Sequence, residues 1–195
     1  MKSGEQTYLD LGCCFGQDIR RLVFDGARAE NCYGSDLKLD FMELGYDLFL
    51  DKDKLKSKFI EGDVFDPDSN LKQLEGHVDI MHTAAFFHLF DLEDQKRIAR
   101  RAVRLLKPQK GSLLVGRQVG NVKGGEFPHR TNPKQVMYRH DVDTWKQMWK
   151  DVGDETGTKW DVEAELLDWP GFVGKDGPAW NADGARRLQF SVRRV

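Results

Sequence analysis

The sequence lacks several features that would each have pointed to a particular biology. No apolar run approaches the roughly 18 residues that a membrane-spanning helix needs. The opening residues, Lys2-Ser3-Gly4-Glu5-Gln6-Thr7, contain no basic stretch followed by an apolar one. No charge of one sign dominates, because 30 Lys and Arg are interspersed with 32 Asp and Glu for a formal charge of −2. That balance argues against a nucleic-acid partner. Cysteine is scarce, and the adjacent pair Cys13-Cys14 has strained geometry for a disulfide, so the odd count of three thiols makes a reducing cytoplasm the natural compartment. Internal repeats and low-complexity tracts are also missing. What is present is a chain of 195 residues, 39% hydrophobic and 32% charged. It suits one globular domain, residues 1–195, able to bury roughly 70% of the surface its unfolded chain exposes.

Apolar patterns alternate between strand and helix. Tyr8-Leu9-Asp10-Leu11 reads as a strand, and Ile19, Leu22 and Val23 recur at helical spacing up to Gly26. Cys32-Tyr33-Gly34-Ser35-Asp36 reads as a second strand. Asp40 and Glu43 have capping-box spacing, and Phe41, Leu44, Leu48 and Phe49 form the apolar stripe of a second helix. Residues 59–64 and 78–82 follow as strands. Asp91 then caps a helix running to Leu106, and residues 112–116 form a further strand. This alternation implies a mostly parallel sheet with right-handed crossovers. Between Arg117 and Arg139 little periodicity remains, and a lid-like loop is predicted there. Val142, Trp145, Met148, Trp149 and Val152 predict one more helix with Gly153 behind it. Two last strands are predicted over 162–169 and 188–195, separated by a Gly- and Pro-rich excursion over 170–184.

The junction after the first strand is the most informative. An apolar stretch ends in Asp10, Gly12 and Gly16 permit a tight turn, and a helical pattern begins at once, which is a unit built to hold a charged cofactor. A dinucleotide loop requires G-x-G-x-x-G. Counted from Gly12, its second and third glycine positions hold Cys14 and Gln17, which disfavours a nicotinamide-dependent oxidoreductase. What remains is acid-x-Gly-x-x-x-Gly. It resembles the first motif of class I S-adenosylmethionine-dependent methyltransferases, with Cys14 in place of the middle glycine. The resemblance covers nearly the whole chain, extending to Ser35-Asp36-Leu37, Gly62-Asp63 and Phe87-His88-Leu89-Phe90. It is shared with small fungal methyltransferases of secondary metabolism that act on polyketide and meroterpenoid compounds and accept Cys at that middle position.

That resemblance implies a Rossmann-like α/β fold, with a mostly parallel seven-stranded sheet, an antiparallel last strand and helices on both faces. It implies S-adenosyl-L-methionine as cofactor, S-adenosyl-L-homocysteine as its product, and O-methylation of a hydroxyl or carboxyl group on a small secondary metabolite. The expected partner is that small molecule, with no nucleic acid and no membrane; a homo-oligomer is compatible with the sequence. Those fungal enzymes carry an N-terminal helical segment over cofactor and substrate, whereas only seven residues precede Tyr8 here. The domain is therefore expected to lack that cap, which keeps open a truncated or non-methylating S-adenosylmethionine-binding protein of the same fold.

Residue roles follow in part from position and in part from the resemblance. Asp36 lies 20 positions after Gly16, where a carboxylate accepts from ribose hydroxyls in a dinucleotide or in S-adenosylmethionine alike. The resemblance assigns the adenine amino group to Asp63, the ring to the backbone of Val64 and the side chain of Leu37, and the loop itself to Asp10, Gly12, Cys13, Cys14 and Gly16. Asp36 and Asp63 are also readable as turn or cap residues. No metal is expected, because no second Cys or His lies at zinc spacing beside the cysteine pair. The stretch from His82 to Asp91 follows a strand at the carboxyl edge of the sheet, where such folds bind ligands. His82 is placed near the sulfonium, and Phe87 and His88 near the acceptor; Phe86, Phe87 and Phe90 also suit an ordinary core. The Asn/Asp-Pro-Pro-aromatic motif of many amino-methylating enzymes is absent. A carboxylate acceptor needs no base, but a phenol or alcohol benefits from one. His82 and His88 are the leading catalytic candidates, with His129 and His140 behind them, while Arg117, Arg130 and Arg139 can hold an anionic substrate.

Overall fold

Tyr8–Leu11 forms β1 and is buried at all four positions, the continuous pattern of a strand inside a parallel sheet. The computed structural model describes residues 4–129, 132, 134–169 and 183–195. They belong to two compact units, Met1–Ala84 with Arg101–Leu114, and Ala85–Arg100 with Val115–Val195.

In the first unit β1 pairs in parallel with β2 (Cys32–Asp36) on one edge and β4 (Ile80–Ala84) on the other, and β2 pairs in parallel with β3 (Lys58–Glu61). The register sets Asp10 beside both Gly34 and His82. Helix α1 (Gln17–Phe24) buries Ile19 in a cluster with Tyr8, Cys13, Cys32 and Met42, and Leu22 and Val23 pack on its margin. β3 stops sooner than the sequence suggests, leaving Asp63 and Val64 in the turn that follows. β4 begins two residues later than expected, at Ile80, because Val78 bridges to Leu106 and Asp79 is held by the Thr7 amide and Lys107 Nζ.

Helix α2 (Leu39–Phe49) corrects the sequence reading. Its buried residues are Met42 and Gly45, while Phe41, Leu44, Leu48 and Phe49 are exposed. The reason is close approach: a Cβ at position 45 would lie 2.3 Å from the Phe15 carbonyl oxygen. The face with the smallest residue therefore turns inward. The expected capping box is also missing, since Lys38 occupies the N-cap without a side-chain hydrogen bond and Glu43 pairs with Lys52 at 2.6 Å.

β5 (Leu113–Asn121), β8 (Trp160–Leu167) and β9 (Ala185–Arg194) complete a seven-stranded sheet in the order β3-β2-β1-β4-β5-β9-β8. β8 and β9 run antiparallel, from Trp160 beside Arg194 to Leu167 beside Arg187. α3 (Leu92–Leu105) is capped as expected, its Asp91 carboxylate accepting from the Asp94 amide at 2.8 Å. The predicted lid is largely ordered strand. β5 continues to Asn121, and β6 (Gly125–Pro128) and β7 (Val136–Arg139) form a separate antiparallel hairpin. Arg130 lies outside the described residues, as does the 170–184 excursion apart from Asp183 and Gly184.

Helix α4 (Val142–Thr156) has a full capping box between Asp141 and Thr144, and it buries Trp145, Met148, Trp149 and Val152 as the spacing predicts. Gly153 is not its stop. The helix runs on to Gly157, and Gly153 is small because a Cβ there would lie 2.7 Å from the Thr158 carbonyl oxygen. No helix among the described residues is long and apolar enough to cross a membrane.

Candidate active site

The loop after β1 is built around left-handed backbone. Gly12 and Gly16 have φ of 80° and 69°, and a Cβ on Gly16 would lie 2.4 Å from the Phe59 ring. The Gly12 and Cys13 amides both donate to the Ser35 carbonyl, at 2.8 and 3.0 Å, and the Gly16 amide donates to the Cys13 carbonyl at 2.8 Å. Cys14 sits where the methyltransferase motif has its middle glycine. It keeps a glycine-like φ of 50°, a conformation that costs a side-chain-bearing residue about 1–2 kcal/mol. The position has changed its residue and retained its backbone.

Around this loop the first unit gathers carboxylates at the carboxyl ends of its strands. Asp10 is 2% exposed and accepts from His82 Nδ1–H at 2.9 Å through Oδ1, while its buried Oδ2 has no hydrogen-bond partner. Burial pushes the Asp10 carboxyl up, and the hydrogen bond and charge of His82 oppose that rise. The Tyr8 ring stacks on His82 with centroids 6.4 Å apart. Asp18, in the first turn of α1, brings a carboxylate oxygen within 4.8 Å of ligand atoms of both Asp10 and His82. Sequence reasoning overlooked Asp18; its signal was an acid two residues beyond the last glycine of the loop.

Asp36 accepts the Cys14 amide at 2.9 Å and the Lys38 amide at 3.2 Å. Leu37 beside it is 56% exposed, so an apolar side chain faces solvent at this edge. Asp63 accepts the Phe65 amide at 2.8 Å, which is the turn role that the sequence allowed. Val64, next in the turn, is 9% exposed. An ionised carboxylate has about four acceptor sites, so these turn bonds leave capacity at both acids. An acceptor set of four carboxylates, with a histidine beside it, suits a cation rich in hydroxyl and amine donors. It would repel a pyrophosphate, and the residues fit S-adenosylmethionine better than a dinucleotide.

The second unit holds a cavity of about 190 Å3, whose lining includes His88, Arg117, Gln118, Arg139, Trp169 and Arg187. Ala85 also lines it, at φ 54°, and strained backbone of this kind clusters at ligand sites. Sequence reasoning had named His88, Arg117 and Arg139 but missed Gln118 and Arg187, which read as ordinary strand residues. Two other expectations are corrected. Phe87 is 0% exposed, with its ring edge-on to Trp145 at 5.3 Å, so it packs in the core and does not face an acceptor. His140 is enclosed between Tyr138 and Trp145 and bonded to Thr144 at 3.1 Å, a core histidine out of substrate's reach. His129 lies in the loop after β6, accepts the Asn132 amide at 3.1 Å, and does not line the cavity.

Residues 9–109 match the family model described as a methyltransferase domain. The chain belongs to the class I S-adenosylmethionine-dependent methyltransferases. Among curated relatives, this methyltransferase is 43% identical over 209 residues to the O-methyltransferase phiE of a fungal species, with 100% of this chain and 69% of that protein covered. It is 44% identical over 196 residues to the O-methyltransferase atr3 of Stereocaulon alpinum, again over the whole chain but only 56% of that relative. It therefore spans between about half and two thirds of these relatives' lengths. Among solved structures, the fold matches that of Burkholderia thailandensis 1,6-didemethyltoxoflavin-N1-methyltransferase with bound 1,6-didemethyltoxoflavin and S-adenosylhomocysteine, at a TM-score of 0.68 over 100% of this chain and 73% of that one. At 13% identity that likeness speaks for the fold alone.

Proposed function

We propose that this chain is an O-methyltransferase that binds S-adenosylmethionine at the carboxyl edge of the first unit and takes a small secondary metabolite, bearing a hydroxyl or carboxyl group, in the cavity of the second. The observation that carries the reading is the set of acids at the ends of β1, β2 and the β3 turn around a loop that holds left-handed backbone at positions 12, 14 and 16. The names of the relatives phiE and atr3 as O-methyltransferases support oxygen as the methylated atom. The cofactor supplies an electrophilic methyl group on a cationic sulfur.

In this reading the Asp36 carboxylate accepts from the ribose hydroxyls, Leu37 covers one adenine face, and Asp63 with the Val64 backbone meets the adenine edge. The Gly12-to-Gly16 backbone, including Cys13 and Cys14, follows the methionine portion. Asp10 fixes the His82 ring from its Nδ1 side, so His82 is presented in one orientation beside the loop. His88 is the base for a hydroxyl acceptor, because it lines the cavity in which that acceptor is held. A positioned base contributes roughly 10²- to 10⁴-fold, so His88→Gln is expected to lose that factor with a phenol and to spare a carboxylate, which has no proton to remove. The three thiols are free, in keeping with a reducing cytoplasm as the proposed compartment.

Transfer of a labelled methyl group from S-adenosylmethionine to a panel of phenols and aromatic acids tests the function. Thermal unfolding tests the cofactor independently, since a ligand at about 100 times its Kd stabilises by roughly 2.7 kcal/mol. Stabilisation by NAD and none by S-adenosylhomocysteine would overturn the reading.

A further inference from the structure

We propose that the outer edge of β8 is a docking surface for an extended segment of another protein, one whose side chains alternate between basic and apolar. β8 ends the seven-stranded sheet, and among the described residues its only strand partner is β9. A strand so placed presents backbone N–H and C=O groups along its open side, which an added strand can pair.

The apolar face of the sheet runs out half-covered at this edge. On the side where α4 packs, β9 supplies Leu188, Phe190 and Val192, which are 0–4% exposed, while Leu166, Ala164 and Val162 opposite them in β8 are only half-buried. Beside them lies a groove of about 700 Å3, lined by Trp149 of α4 and by Trp160 and Val162 of β8, a size within the 300–1,000 Å3 usual for binding sites. Trp149 is 0% exposed, and its Nε1–H has no acceptor among the described residues. Buried donors are ordinarily paired, and an occupant of the groove brings an acceptor. Successive side chains of a strand point to opposite faces, so every second residue of an added strand falls on the groove side.

Charge selects the partner on the other face. Asp161, Glu163 and Glu165 alternate there, all exposed. β9 sets Ser191 and Gln189 opposite Glu163 and Glu165, and a cation, Arg193, only opposite Asp161. Lysine or arginine at alternate positions of an added strand complements this row, because opposite charges paired across strands stabilise a sheet and like charges destabilise it. A second copy of this chain is disfavoured on the same ground: with both apolar faces on one side, β8 beside β8 sets acid against acid. The α4 rim of the groove is mixed in sign, Lys150 being held by Asp154 at 2.8 Å, and selects neither charge.

Fluorescence anisotropy with a labelled peptide of Lys-Val repeats, and with one of Glu-Val repeats, tests this on the whole chain. The Lys-Val peptide is expected to bind about 10-fold more tightly or better. Hydrogen–deuterium exchange locates the contact, since pairing at the open edge is expected to slow the amides of residues 160–167. The double variant Glu163→Lys with Glu165→Lys, at two exposed positions, is expected to reverse the preference. Should it fail to unfold cooperatively, Glu163→Gln with Glu165→Gln is expected to abolish the preference. Equal binding of the two peptides, no binding of the Lys-Val peptide, binding that leaves exchange in β8 unchanged, or a preference that survives the variants overturns the proposal. So does a dimer by sedimentation whose formation slows exchange in β8, because the occupant is then a second copy.

Discussion

His140 makes the second unit sensitive to mild acid. Its imidazole is wholly enclosed, lies 4.8 Å from the Tyr138 ring and 5.2 Å from the Trp145 ring, and bonds to Thr144 Oγ1 at 3.1 Å. Burial pushes it down from 6.5 to about 4, with Asp141 and the Thr144 hydrogen bond acting in the opposite direction. In the unfolded chain it titrates at its ordinary value, so between about pH 6.5 and 4 the unfolded state binds the extra proton. Stability from this group is therefore complete above about pH 6.5, is lost as pH falls toward 4, and changes no further below that. The difference between 6.5 and about 4, at roughly 1.36 kcal/mol per pH unit, amounts to about 3 kcal/mol. Burial acts to raise the neighbouring Asp141 carboxyl, but hydrogen bonds from Thr144 and Gly124 hold it below its ordinary value, which places its own loss at lower pH. Urea unfolding followed by tryptophan fluorescence at pH 7, 6, 5 and 4.5 reads the effect, with His140→Gln as the variant that cannot titrate. The wild type should lose about 3 kcal/mol more than the variant as pH falls toward 4, most of it already by pH 4.5. Parallel pH profiles would refute the reasoning.

Three further substitutions probe the loop and the α4 cap. Cys14→Gly relieves a left-handed side chain at about 1–2 kcal/mol and adds roughly 0.5–1 kcal/mol of backbone entropy cost, so a gain of up to about 1 kcal/mol in stability is expected by thermal unfolding, with S-adenosylhomocysteine affinity retained. Gly16→Ala meets both the positive φ and the Phe59 ring; a loss of about 2–3 kcal/mol, with weakened S-adenosylhomocysteine binding by calorimetry, is the expected outcome. Asp141→Ala removes the capping box of α4, and a loss of about 1 kcal/mol should appear as a lowered urea midpoint.

What the sequence revealed and what it hid can be traced to particular residues. The loop from Asp10 to Gly16, the cap at Asp91 and the Trp145-to-Val152 stripe were legible because each depends on spacing within one short segment. The facing of α2 was not. Leu39, Phe41, Met42, Leu44, Leu48 and Phe49 spread over more than half of that helix's circumference, and the inward face was chosen by Gly45 against the Phe15 carbonyl, a contact between segments 30 residues apart. Gly153 misled in the same way, since a glycine needed for close packing looks like a glycine that ends a helix. Gln118, Val119, Gly120 and Asn121 resembled a loop by composition, yet all four are buried in β5. The candidate acceptor cavity draws residues from β5, β7 and β9, and no local pattern could have announced Arg187.

The hydrogen bonding of the loop after β1 has a consequence for how it meets a ligand. Gly12, Cys13, Cys14 and Gly16 already donate their amides to Ser35, Asp36 and Cys13, so the turn is assembled by its own strand ends. Little ordering entropy remains to be lost on association, which favours affinity. The same amides should exchange slowly with deuterium in the apo protein, and adding S-adenosylhomocysteine should change their protection far less than it would in a loop that forms only around its ligand.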